Sequence, residues 1–205
     1  GNQLVSIDGH HGPIESVRFS PDGNWFGSAS QDGTLRIWST VDYRSVATKW
    51  GHVREITDLA FSPDSELIAT AGRLCAKTWT RHPNRTLPFE TKPAREIHQV
   101  LATRESNLLL LHDASDRLCM YDLARGQEVE INTRKIGSNS KIRSTAISDD
   151  GRFVAWCCES GEPFVYSLEF QSLQDLSNHP NDVRAIAFDA NNLYVADETG
   201  TIWRK

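Results

Sequence analysis

The sequence predicts an all-β protein assembled from five copies of one unit, and three observations predict it. Short apolar runs rich in β-branched and aromatic residues alternate with turn-forming Gly, Pro, Asp and Ser. The ends of the leading runs, Phe19, Phe61, Ala102, Ile147 and Phe188, are spaced by 42, 41, 45 and 41 residues. The turn after the leading run is written SPDG at 20–23, SPDS at 62–65 and SDDG at 148–151, so punctuation repeats with the strands. Strand composition at so regular a spacing is a repeat architecture.

The elements follow in order. LVSI opens the chain as a lone strand within 3–8. IESVRF, NWFGSAS and TLRIWS are the three inner strands of the first repeat (9–50), with RSVATK as its outer strand. The second repeat (51–92) reads EITDLAF, ELIATAG and LCAKTWT, and a Pro-rich connection over 82–95 holds only a short candidate outer strand. EIHQVLA, NLLLLHD and RLCMYDL make the third (93–132), and IRSTAIS, RFVAWCC and PFVYSL the fourth (137–176). The fifth (178–205) has VRAIAF, NNLYVAD and TGTIWRK, ends on a third strand and lacks an outer one. The strand within 3–8 is therefore expected to pair beside TIWRK.

The stretch GHHGPIESVRFSPDGNWFGSASQDGTLRIW, residues 9–38, is similar to a WD repeat: a Gly-His opener, SPDG between two runs and QDGTLRIW at the end. The resemblance implies a β-propeller of five four-stranded blades in this chain. Two arrangements fit: a ring closed by the N-terminal strand, or a five-blade portion of a larger ring. It also implies that His10, Ser28, Asp32 and Trp38 form a structural hydrogen-bonded tetrad. The chemistry is consistent, because indole only donates, imidazole both donates and accepts, and a buried group without a partner costs about 1–3 kcal/mol.

Only the first repeat keeps the whole set. The second offers His52, Thr70 and Trp79, with its turn one residue short and Arg73 near the Asp position. The third has Pro93, Leu111 and Tyr121, the fourth Ser138, Trp156 and Tyr166, and the fifth keeps His179. Trp203 falls out of register, with Lys205 just before the expected aromatic.

Composition bounds the function. A 39% hydrophobic and 24% charged chain is globular in type, and a net charge of −5 argues against general binding to nucleic acid or anionic membranes. No run reaches the roughly 20 apolar residues of a membrane helix. Cys75, Cys119, Cys157 and Cys158 lie in apolar runs with no C-x-x-C pair, as buried thiols of a reducing compartment would, and a cytoplasmic location follows. Ser28, His10 and Asp32 lack a nucleophile elbow, no histidine spacing suits a metal, and no phosphate loop or dinucleotide fingerprint is present. No enzyme activity, metal or cofactor is expected.

What remains is surface. In the family resembled, the loops after the outer strand and between the second and third strands crown one face where partners dock. Carried over, that geometry places His11, Gln31, Arg54, Arg73, Arg95, Arg143, Glu159, Asp182 and Glu198 on or near the rim. Arginine forks take carboxylate or phosphate, so an acidic or phosphorylated peptide is one reading of the four arginines and solvated surface the other. Trp50 is either an interface anchor or packs against the next blade. The expected function is a non-catalytic protein–protein interaction scaffold. The alternative is the C-terminal sensor of a larger signalling protein, such as a bacterial NTPase or protease, with an attached domain as its partner. Nucleic-acid binding through the arginines would show a steep salt dependence.

Overall fold

The structure is a computed structural model that describes residues 5–81, 96–131, 140–174, 176, 182–190 and 192–205. These carry eighteen strands and no helix, so none of them is in a helix long and apolar enough to cross a membrane. The chain divides into two compact units, residues 1–100 and 101–205.

In the first unit, β1 (Ile14–Phe19), β2 (Trp25–Ser30), β3 (Thr34–Ser39) and β4 (Ser45–Trp50) form a four-stranded sheet in chain order. A second sheet holds β5 (Ile56–Phe61), β6 (Leu67–Gly72) and β7 (Ala76–Thr80). The second unit contains the sheet of β8 (Ile97–Ala102), β9 (Leu108–Asp113), β10 (Leu118–Asp122) and β11 (Gln127–Ile131), with β8 straddling the boundary. It also contains β12 (Ile142–Ile147), β13 (Phe153–Cys158), β14 (Pro163–Ser167) and β15 (Ser172–Gln174), then β16 (Val183–Asp189), β17 (Asn192–Asp197) and β18 (Ile202–Arg204). Every pairing whose register is resolved is antiparallel and joins consecutive strands.

The turns explain why these strands begin and end where they do. Ser20 Oγ donates to Asp22 and accepts the Trp25 N–H at 3.0 Å, while Gly23 takes φ of 72°, the left-handed value glycine adopts freely. Ser62 with Asp64 and Leu67, and Ser148 with Asp150 and Phe153, repeat the arrangement. One short motif thus closes three hairpins with the same register. A β-bulge interrupts β1, β5, β12 and β16 at the same place and leaves Glu15, Thr57, Arg143 and Arg184 as the extra residues.

Packing within each unit follows strand alternation. Ala29, Leu35 and Ile37 of the first sheet bury against Ile56, Leu59, Phe61 and Ile68 of the second. Each fully buried aliphatic side chain stabilises by roughly 1.5–3 kcal/mol. In the second unit, Ala155, Cys157 and Val165 meet Val183, Ile186, Leu193 and Val195 in the same way. The face of β1 differs: Ile14, Val17 and Phe19 are exposed, whereas their counterparts Ile56, Leu59 and Phe61 are buried.

Residues 5–8 carry no strand assignment, and the rest of 3–8 lies outside the described residues. Among the described residues the sheets of β5–β7 and β16–β18 have three strands each; the fifth repeat was expected to end on its third strand, and the candidate outer strand of the second repeat, over 82–95, lies outside the described residues.

Candidate functional site

The polar centre of the first sheet is assembled by β2, β3, the turn between them and the segment before β1. Trp38 Nε1 donates to Ser28 Oγ at 2.8 Å, and His10 Nε2 lies 2.7 Å from the same oxygen. His10 Nδ1 is 2.9 Å from Asp32 Oδ2. These contacts assign the tautomer: Nδ1–H donates to the carboxylate, and Nε2 accepts from the serine hydroxyl. Burial alone would push the Asp32 carboxyl up. Hydrogen bonds from the Thr34 hydroxyl, the His11 N–H, the His10 ring and the Thr34 N–H outweigh it and hold the group far below the usual carboxylate range. Gly33 takes φ of 79° and carries the chain into β3.

The second sheet builds the same centre with one change. His52 Nε2 lies 2.8 Å from Thr70 Oγ1, which also accepts from Trp79 Nε1 at 2.8 Å. Facing His52 Nδ1 is Cys75 Sγ at 4.0 Å; Arg73 is not there. By strand register Cys75 is the counterpart of Thr34, whose Oγ1 lies 3.1 Å from His10 Nδ1, so no carboxylate takes the place of Asp32; Arg73 turns outward, where Nη1 donates to Glu55 at 2.8 Å. A Cβ on Gly72 would sit 2.8 Å from His52 Cε1, so the ring fits only over glycine.

In the remaining sheets the position of Ser28 is apolar. Leu111, Trp156 and Val195 stand there, all buried, and Trp156 stacks on Phe164 with centroids 5.4 Å apart. Trp156 Nε1 is buried with no hydrogen-bond partner among the described residues. Pro93, Ser138 and His179 lie outside the described residues. Lys205 exchanges both backbone hydrogen bonds with Leu193, so it stands at the aromatic position itself and not one residue before it.

The rim residues fall into two groups. Gln31 donates to Glu15, and Asp182 accepts from Arg184, which also binds Glu198 at 2.8 Å. These polar groups are already satisfied by neighbours. Trp50, by contrast, is 69% exposed at the end of β4. Val53 is 85% and Leu74 43% exposed, and Arg54 is exposed and makes no ion pair among the described residues. A Cβ on Gly33 would lie 3.2 Å from His52 O and 3.3 Å from Arg54 O, so the β2–β3 turn abuts the β4–β5 loop. Trp50 pairs with Thr34 beside that turn, while Gly72 approaches His52 from the β6–β7 side. Trp50, Val53, Arg54 and Leu74 therefore gather at one end of the first unit. Arg143 is exposed on the bulge of β12 in the second unit, and Arg95 lies outside the described residues. Val53 and Leu74 had no place in the sequence-based site; their signal is an apolar residue inside an otherwise polar turn. Among the described residues no three His, Cys, Asp or Glu side chains gather as metal ligands.

Known proteins carry the same repeat. A family model described as WD domain, G-beta repeat matches residues 1–39 and 43–79. The human serine-threonine kinase receptor-associated protein is 61% identical over 41 residues, 20% of this chain and 12% of that protein. A guanine nucleotide-binding protein subunit beta of Zea mays is 22% identical over 214 residues, covering 96% of this chain and 56% of the relative. A bromodomain and WD repeat-containing protein of Dictyostelium discoideum is 26% identical over 159 residues, 73% of this chain and 7% of its own length. The chain thus spans a small part to about half of the curated relatives it matches. Repeated antiparallel sheets with a buried His–Ser/Thr–Trp centre define a β-propeller of the repeat-built kind. Over residues 1–39 and 43–79 the chain is built of WD repeats.

Proposed function

We propose that this chain is a non-catalytic platform for protein–protein interaction, and that its partner docks on the loop-bearing end of the first unit at Trp50, Val53, Arg54 and Leu74. The observation that carries this reading is the large exposure of Trp50 and Val53 beside an arginine with no ion pair among the described residues. Tryptophan and arginine are the residues that most often anchor interfaces. An exposed guanidinium suits an acidic or phosphorylated segment. Arg73 contributes less, because Glu55 already occupies it.

The interior supports the absence of catalysis. Ser28 is 2% exposed, its lone pair takes the Trp38 N–H and its proton points at His10, so the hydroxyl is committed to holding strands. The four cysteines are buried, in keeping with a reducing, cytoplasmic setting. The relatives' names point the same way: one is receptor-associated and another is a subunit.

Affinity capture with the wild-type chain beside a Trp50→Ala/Arg54→Ala variant tests the reading. We expect a protein retained by the wild type at constant salt and lost by the variant, with the unfolding midpoint unchanged. Equal retention by both would move the site elsewhere. Retention of nucleic acid with an affinity falling steeply in salt would replace the reading.

A further inference from the structure

A cavity of about 210 Å³ opens between the sheets of β12–β15 and β16–β18 in the second unit. Its lining includes Phe153, Val165, Gln174, Phe188, Leu193 and Lys205. By strand register these six are the counterparts of Trp25, Ile37, Ala47, Phe61, Ile68 and Trp79 in the first unit. There the same six positions form one packed cluster, with Trp25, Ala47 and Trp79 set against Ile37, Phe61 and Ile68. Two replacements open the space: Lys205 stands where Trp79 brings an indole, and Phe153 stands where Trp25 brings another. The walls remain apolar, and Leu176 adds to them.

We propose that this cavity binds a single planar aromatic group the size of an indole ring. The shape follows from what the first unit places in the equivalent space, an indole between two sheets. The chemistry follows from the walls, which offer two phenyl rings and branched aliphatic carbon with polar groups only from Gln174 and Lys205. The pocket opens to solvent past the exposed Gln174 and Lys205, so a guest can enter without rearrangement of the sheets; an engineered apolar cavity of roughly 150 Å³ lined by Leu, Ile and Phe binds benzene. An aromatic guest restores the contacts that the missing indole forfeits. The site is separate from the rim of the first unit and stands or falls independently of it.

Free indole is the probe, titrated into the wild-type chain with the unfolding temperature and the methyl NMR spectrum recorded together. We expect a saturable rise in Tm and shifts at Val165 and Leu193, with Ile37 and Ile68 unmoved. The Lys205→Trp variant, which supplies the indole covalently, should raise Tm without ligand and bind free indole about tenfold more weakly or worse, since overfilling a packed site costs on the order of 1–3 kcal/mol. Absence of a saturable shift in the wild type overturns the proposal. So do equal shifts at Ile37 and Ile68, or undiminished binding by the variant. The methyl shifts need no substitution, so the test holds even if Lys205→Trp folds poorly.

Discussion

The first and fourth sheets have the same strand order and the same turn chemistry, yet their centres are made of opposite materials. In the first, Ser28 sits between Trp38 and His10, and Asp32 fixes the imidazole from behind. In the fourth, the position of Ser28 holds Trp156, fully buried and stacked on Phe164. A hydrogen-bonded network specifies register by direction, whereas a stacked indole specifies it by volume. The difference teaches that the fold requires the position to be filled and every partner to change with it, not that it be polar. Trp156 keeps one mark of the exchange, an indole N–H that no described residue receives.

The largest expected effect that separates the two centres is at Trp156. Trp156→Ala should destabilise by about 3–5 kcal/mol through the cavity it leaves. Ser28→Ala removes almost no volume but strands the Trp38 N–H and the His10 ring, at about 1–3 kcal/mol. Denaturant melts of both variants check the order; equal losses would mean that the polar centre is held by volume as well.

A smaller effect comes from acid. The folded Asp32 carboxyl titrates below its unfolded value of about 3.9, so its stabilisation is complete above that pH and is lost as pH falls toward the folded value. Melts of wild type and Asp32→Asn should therefore differ most at neutral pH and converge below about pH 4. A gap that stays constant on acidification would assign the role of Asp32 to geometry and not to charge. Cys75→Asp sharpens the comparison, since it sets a carboxylate beside His52 at the register position of Thr34 and should add an acid sensitivity to the second sheet. The smallest effect belongs to the rim: Arg54→Ala should change stability by no more than about 0.5 kcal/mol.

The strands were legible in the sequence because local rules govern them. Ser20, Ser62 and Ser148 each close a turn with their own neighbours, so a four-residue motif sufficed to place the hairpins. The first centre was legible for the same reason, its members lying within thirty residues of one another at recognisable spacing. What escaped depends on partners across space. Cys75 faces His52 from the register position of Thr34, and spacing alone pointed to Arg73. The cavity depends on volumes contributed by two sheets, and its trace in the sequence was the replacement of an aromatic by Lys205. The exposure of Val53 and Leu74 depends on what does not cover them, which no local pattern records.

The order of strands within the sheets has a consequence for how the chain is made. Since each resolved pairing joins neighbours in sequence, no ladder waits for a distant segment, and the entropy of loop closure stays small. Only the packing of one sheet on the next reaches across some 42 residues, as from Ser16 to Asp58. During synthesis each sheet can complete its backbone bonds soon after its last strand emerges. What the nascent chain then holds out is an apolar face, and within each unit the next forty residues to be translated are what cover it.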